Sequence, residues 1–161
     1  MTHSPLTART VEYKRWKWTE RSGAPIRQLN VHNTMSTPYA NAGNLRWLST
    51  HDTEVSANYL LETNGQLVGI VPEERRAHTT GRIDDVSVTV EVVNTTGAPG
   101  WEVDRAQLET LAQLAADLCE RYGWGRVDES RIRFHDQYME TNCPGPYLRA
   151  HRGDIITRAN N

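Results

Sequence analysis

The clearest signal along the chain is the run Val86 to Val93, in which β-branched residues recur at alternate positions. A period of two with that composition predicts a strand. Val55 to Leu61 and Leu67 to Val71 are also strand-like and flank Thr63-Asn64-Gly65-Gln66, an Asn-Gly signature that predicts a hairpin halted at Pro72. Ile26 to Val31 alternates enough for a further strand, ending at Val31-His32-Asn33-Thr34. Ile132 to Phe134 would be a short one that delivers His135. After Asp104 the period becomes helical: Leu108, Leu111, Leu114, Ala115, Leu118 and Tyr122 line one face, with Asp104 as N-cap and Gly123 as the stop. Shorter helices are expected over 44–51 and 147–152. Strands followed by a long helix and a loop predict an α/β fold, a central mixed β-sheet flanked by α-helices in one domain.

Residues 1–24 break this pattern. They are polar, with Trp16 and Trp18 set among Tyr13, Lys14, Arg15 and Lys17, and they read as an extended arm preceding a domain over 25–161. The total of 161 residues suits a single core. A net charge of −2 argues against a nucleic-acid partner held by bulk electrostatics. The apolar runs are only a few residues long, so no membrane insertion is expected. Met1 to Leu6 has no apolar stretch of the kind a signal peptide carries, so the expectation is folding in a cytosol or export by some other route.

Candidate chemistry lies in three residues. His32 closes a strand, His135 follows the apolar Ile132-Arg133-Phe134, and Cys143 sits before Pro144-Gly145 in a polar loop. His and Cys are zinc ligands by softness, and a zinc hydrolase needs three protein ligands and one open position. Each residue alone reads as well as a structural histidine or a small buried cysteine. Cys119, in the apolar stripe of the long helix, reads as core. Glu91 is the only carboxylate in the Val86 to Val93 strand, on the face of Thr89 and Val93 and opposite Val88, Val90 and Val92. It is either part of a solvated sheet face or a working carboxylate.

From about Leu29 to Leu148 the chain resembles the type 2 zinc N-acetylmuramoyl-L-alanine amidases, which include phage endolysins, muropeptide amidases and peptidoglycan recognition proteins. Five segments carry the resemblance, in the family's order. They are Val31-His32-Asn33-Thr34; Val55 to Leu61 with Asn64-Gly65; Val71-Pro72 with Arg76-Ala77-His78 through Gly81; Ser87-Val88-Thr89-Val90-Glu91; and His135 through Thr141-Asn142-Cys143-Pro144-Gly145.

The resemblance implies that His32, His135 and Cys143 hold Zn²⁺ and that Glu91 is the catalytic proton carrier. Thr141 stands at a position that stabilises the oxyanion in relatives; a loop-capping role fits it equally. A tyrosine that some relatives use is replaced here by Ala57. The family's usual histidines are replaced by Thr79 and, in the hairpin, by Asn58. His78, Trp47 and Asn58 are the expected substrate contacts. The implied partner is peptidoglycan, the implied reaction is hydrolysis of the MurNAc–L-Ala amide, and a monomer is expected. The favoured role is the catalytic module of a phage endolysin, held in the host cytoplasm until release to the wall. The alternatives are a cytosolic muropeptide-recycling amidase and a non-catalytic peptidoglycan-binding module.

Overall fold

A computed structural model describes residues 1–161. The strands are β1 (Thr7–Thr10), β2 (Trp18–Glu20), β3 (Gln28–Asn33), β4 (Tyr59–Leu61), β5 (Leu67–Gly69), β6 (Arg75–Ala77), β7 (Ser87–Val92) and β8 (Ile132–Phe134). The helices are α1 (Asn41–Ser49), α2 (Arg105–Arg121), α3 (Pro146–Ala150) and α4 (Arg152–Ala159). Six strands form one mixed sheet in the order β1-β5-β4-β7-β3-β8, and β2 pairs with β6 in a separate ribbon. Only β4 and β5 run antiparallel within the large sheet, joined by the Asn64-Gly65 turn; all its other pairs are parallel. Gly65 takes a positive φ of 85°, and a Cβ there would meet Ala106 at 3.0 Å, so the turn requires glycine on both counts.

The alternation in β7 separates two environments. Val88, Val90 and Val92 join Leu29, Val31 and the apolar face of α2 in one core cluster. Val93 belongs to a second cluster with Leu48, Leu60, Ile70 and Trp18. The sheet is therefore packed on both faces, as expected for a parallel sheet. The Asp104 carboxylate accepts from Ala106 N at 2.9 Å and Gln107 Oε1 accepts from Asp104 N at 2.7 Å, the reciprocal cap that starts α2.

The strand expected over Val55 to Leu61 pairs only from Tyr59. Before it, Ser56 N donates to the His78 carbonyl, and Ala57 and Asn58 accept from Val71 and Ile70, so these residues bridge loops instead of extending the ladder. The single helix expected over 147–152 is two helices. His151, between them, is half-buried and stacks on Tyr147 at 4.1 Å.

Residues 1–24, read as an extended arm, are built into the domain. β1 is an edge strand of the main sheet, parallel to β5, and Arg9 forks onto Glu62 at 2.6 and 3.0 Å. His3 packs edge-on against Tyr59, and Lys17 and Trp18 are buried. Short sequences without apolar alternation can join a sheet this way, because the backbone supplies the ladder.

Glu73 fastens this segment from beneath. It is 0% exposed, pairs with Arg121 through two bonds of 2.8 Å, and accepts from Tyr59 Oη at 2.5 Å and Tyr122 Oη at 2.6 Å. Tyr59 Oη in turn accepts from Ser4 N, and Glu73 N donates to the Thr2 carbonyl. Removing one member of such a network strands the others. Glu73→Ala should cost about 3–5 kcal/mol in urea denaturation; a loss under about 1 kcal/mol would mean that the network is not what holds the segment.

Candidate metal centre

The parallel register assembles the site. His32 of β3 lies opposite Glu91 of β7, and Val31 lies opposite Phe134 of β8, so His135 emerges beside His32. All three side chains thus meet at the carboxyl ends of adjacent parallel strands, where open α/β sheets place their ligands. Cys143 arrives from the other direction on the turn Asn142 to Gly145, closed by Gly145 N donating to the Asn142 carbonyl at 2.7 Å. Gly145 has a φ of 87°, and a Cβ there would press on Trp101 at 3.1 Å. Glycine at that position is what lets the loop reach the sheet edge.

One donor atom from each of His32, His135 and Cys143 lies within 4.8 Å of the other two. The His32 and His135 rings are 4.6 Å apart, and Cys143 Sγ lies 3.8 Å from His32 Nδ1. His32 Nε2 is 3.0 Å from Thr80 Oγ1, which also accepts from Asn30 Nδ2 at 3.0 Å. With Nδ1 turned to the cysteine, an imidazole protonated at Nε2 would donate to Thr80 and leave Nδ1 for a metal. That is the usual support for a metal-binding histidine. Burial, aided by the neighbouring His135, holds the His32 pKa well below its ordinary range, so the ring is neutral. Burial also raises the Cys143 thiol, with Glu91 adding to the effect. Asn33 N donates to Cys143 Sγ at 3.3 Å and offsets part of this.

Glu91 Oε1 lies 3.9 Å from His32 Nδ1, and Glu91 Oε2 is buried with no hydrogen-bond partner. A buried carboxylate oxygen without a partner is costly. Burial pushes its pKa up to about 8. Two neutral imidazoles, a thiol and an orphaned carboxylate around one point fit a divalent cation, which would restore the charge balance that burial removes.

Two pockets flank the centre. Thr34, Asn44, Trp47, Leu48, Val55 and Glu91 line one. The other includes Thr19, Arg76, His78, Thr80 and Asp84, and Val55 borders both. Trp47, 44% exposed, and His78, half-buried with Nε2 3.3 Å from Thr19 Oγ1, therefore each face a pocket. Asn58 does not. It is 0% exposed; its amide donates toward the carbonyls of Val71, Pro72 and Arg75, and its oxygen accepts from Thr89 N at 3.0 Å. The reading of Asn58 as a substrate contact is corrected: its polar atoms are used up in tying the hairpin to β7. Thr141 Oγ1 accepts from Cys143 N at 3.3 Å, the loop-capping contact, and its own O–H has no protein acceptor.

Thr80 and Asp84 support the centre and were not singled out from the sequence. Asp84 is 1% exposed, and its Oδ2 accepts from the backbone N–H of Thr79, Thr80 and Gly81 at 2.7–2.8 Å. Those bonds fix the turn that places Thr80 on His32. An Asp three residues after Gly81 is the available signal, a helical-turn cap.

A family model described as N-acetylmuramoyl-L-alanine amidase matches residues 22–146. The chain belongs to that family. Among solved structures, a derivative of AmpD is 21% identical with a TM-score of 0.68, over 92% of this chain and 94% of that one. The endolysin amidase LysCS of Clostridium intestinale is 16% identical with a TM-score of 0.66, over 95% and 97%. Drosophila peptidoglycan recognition protein SD is 15% identical with a TM-score of 0.61, over 89% and 93%. At these identities the shared property is the fold, the mixed sheet flanked by helices. No curated protein sequence matches the chain.

Two outcomes follow from the geometry of this amidase-family centre. Thr80→Val should weaken divalent-metal affinity about 10- to 100-fold in chelator competition; unchanged affinity would mean that the Nε2 bond does not orient His32. The second concerns Glu91 in metal-free protein. Below about pH 4.5 both folded and unfolded chains hold its proton; between there and about 8 only the folded chain does, so stability falls as pH rises. Glu91→Gln should flatten that fall, worth on the order of a few kcal/mol, in thermal melts from pH 5 to 9. Equal slopes for the two proteins would place the pH dependence elsewhere.

Proposed function

We propose that the chain is a zinc-dependent N-acetylmuramoyl-L-alanine amidase that hydrolyses the amide between the lactyl group of MurNAc and L-alanine of peptidoglycan. The observation that carries the reading is the meeting of His32, His135 and Cys143 with an unpartnered Glu91 carboxylate at one edge of the sheet. The donor set, two nitrogens and one sulfur with a side left open, suits zinc at a hydrolytic site. When bound, zinc supplies Lewis-acid polarisation of the scissile carbonyl and makes water a better nucleophile near neutral pH.

The chain's own residues do the rest. Glu91 takes a proton from the attacking water and returns one to the departing L-alanine nitrogen. Its carboxylate lies beside the ligand set with one oxygen that no protein group engages, so it is placed to exchange a proton in both directions. Thr141 offers its free O–H to the oxyanion, a weaker donor than an ammonium at the same place. Trp47 and His78, each lining a pocket beside the centre, contact the substrate. Cys143 and Glu91 together favour a catalyst over a binding module, since mere retention of wall fragments requires neither.

We assign it the role of the lytic module of a phage endolysin, acting as a monomer and kept in the host cytoplasm until it reaches the wall. The short connection from β3 to α1, Thr34 to Ala40, supports this by leaving the cleft free of a covering insertion. Purified sacculi digested with the zinc-loaded protein should yield stem peptides with free L-alanine amino termini, identified by mass spectrometry. Cut glycan strands or cleaved cross-links would refute the assigned bond. Cleavage of soluble muropeptides with no action on sacculi would favour the recycling role. Glu91→Ala should lower turnover by at least about a thousandfold while zinc content stays stoichiometric; retained activity would remove Glu91 from the mechanism.

A further inference from the structure

Lys17 is 0% exposed, and its ammonium donates to three carbonyls: Trp47 at 2.8 Å, Thr53 at 2.6 Å and Val55 at 2.8 Å. Burying a cation is costly, and every donor it has is directed at the end of α1 or the loop that follows it. That loop, between α1 and β4, has no strand or helix of its own over residues 50–58. Trp47, in the last turn of α1, and Val55, near the end of the loop, both line the pocket that holds Glu91. The chain around Lys17 adds to the grip. Lys14 N donates to the Ser49 carbonyl at 2.9 Å, and Trp16 Nε1 donates to the His51 carbonyl at 3.1 Å. Ser56 Oγ donates to the Lys17 carbonyl at 2.6 Å and accepts from His78 N at 2.9 Å, so the second pocket is tied in as well. Lys17 also lies outside the stretch that the family model matches, 22–146.

We propose that Lys17 is a positioning residue for substrate, a strap that sets Trp47 and Val55 at the width the peptidoglycan fragment requires. It touches no reacting atom, so it acts through the wall it holds. The proposal rests on the amidase reading for its ligand, and its physical content is the ordering of residues 47–56. Without the ammonium, three carbonyls turn to water, the wall loosens, and part of the binding energy is spent on ordering it.

The test compares wild type, Lys17→Met, Trp47→Ala and the double variant on a soluble muropeptide, with metal content and melting temperature recorded for each. Lys17→Met should raise KM about tenfold with kcat within about threefold. Its metal content should be unchanged, and amide hydrogen exchange should show lost protection confined to 47–56. Combined with Trp47→Ala, it should add nothing further to KM, because both act through one wall. Additive effects on KM, or a fall in kcat with KM unmoved, would overturn the proposal. If Lys17→Met does not fold, Trp16→Phe, at a side chain 41% exposed, removes one strap bond and should raise KM about twofold to threefold; an unmoved KM then overturns it. If wild type binds but does not cleave, the amidase reading falls, and the same comparison is made on the muropeptide dissociation constant. If wild type does not bind, both fall.

Discussion

The parallel pairing of β3 with β7 and β8 is the constraint on which the rest depends. Because register in a sheet fixes which residues stand side by side, one choice of pairing puts His32 beside Glu91 and the end of β8 beside both. A slip of one residue would turn His32 and Glu91 into the α2 core and Val31 and Val90 out to the cleft. The apolar face prevents that slip: Val88, Val90, Val92, Leu29 and Val31 are all fully buried against α2. The packing that stabilises the domain and the alignment that builds the centre are therefore one and the same set of contacts.

The polar face of the sheet carries the tension. Asn30, His32, Thr89 and Glu91 are enclosed along it, and most of their polar atoms find partners in Thr80, Thr79 or Asn58. Asn30 Oδ1 and Glu91 Oε2 are the exceptions, two oxygens that nothing in the chain satisfies, and of the two only Glu91 can carry a charge. Protein interiors concentrate such unfavourable groups where chemistry needs them. The turn held by Asp84 is the counterpart: three N–H groups converge on one carboxylate oxygen so that a single threonine hydroxyl meets one imidazole nitrogen.

Elements whose pattern and packing agree were legible in the sequence. β7, the Asn64-Gly65 turn and α2 with its Asp104 cap could be read because alternation, turn chemistry and helical period each pointed to the structure observed. The three ligand candidates were plausible by residue type, but only the order of motif segments tied them to one another. β1, β2 and β6 were illegible for a physical reason. Thr7-Ala8-Arg9-Thr10 buries little apolar surface and joins the sheet through backbone bonds and the Arg9–Glu62 pair. Lys17 and Glu73 were unreadable because composition assigns charged residues to the surface, and partners such as Trp47 for Lys17 and Arg121 for Glu73 lie 30 and 48 positions away along the chain. Asn58 misled for the same reason: an amide that satisfies loop carbonyls looks, in a sequence, like an amide meant for a ligand.

The placement of β1 bears on how the domain can be handled. The recognisable family pattern begins at residue 22, and a construction engineer choosing boundaries from that pattern would cut there. Such a cut would uncover the flank of β5, whose Leu67 and Val68 are fully enclosed in the intact chain, and leave a bare strand edge of the sort that recruits other molecules. Fusion partners and affinity handles belong ahead of Met1, whose side chain is 83% exposed, and not in place of the residues that follow it.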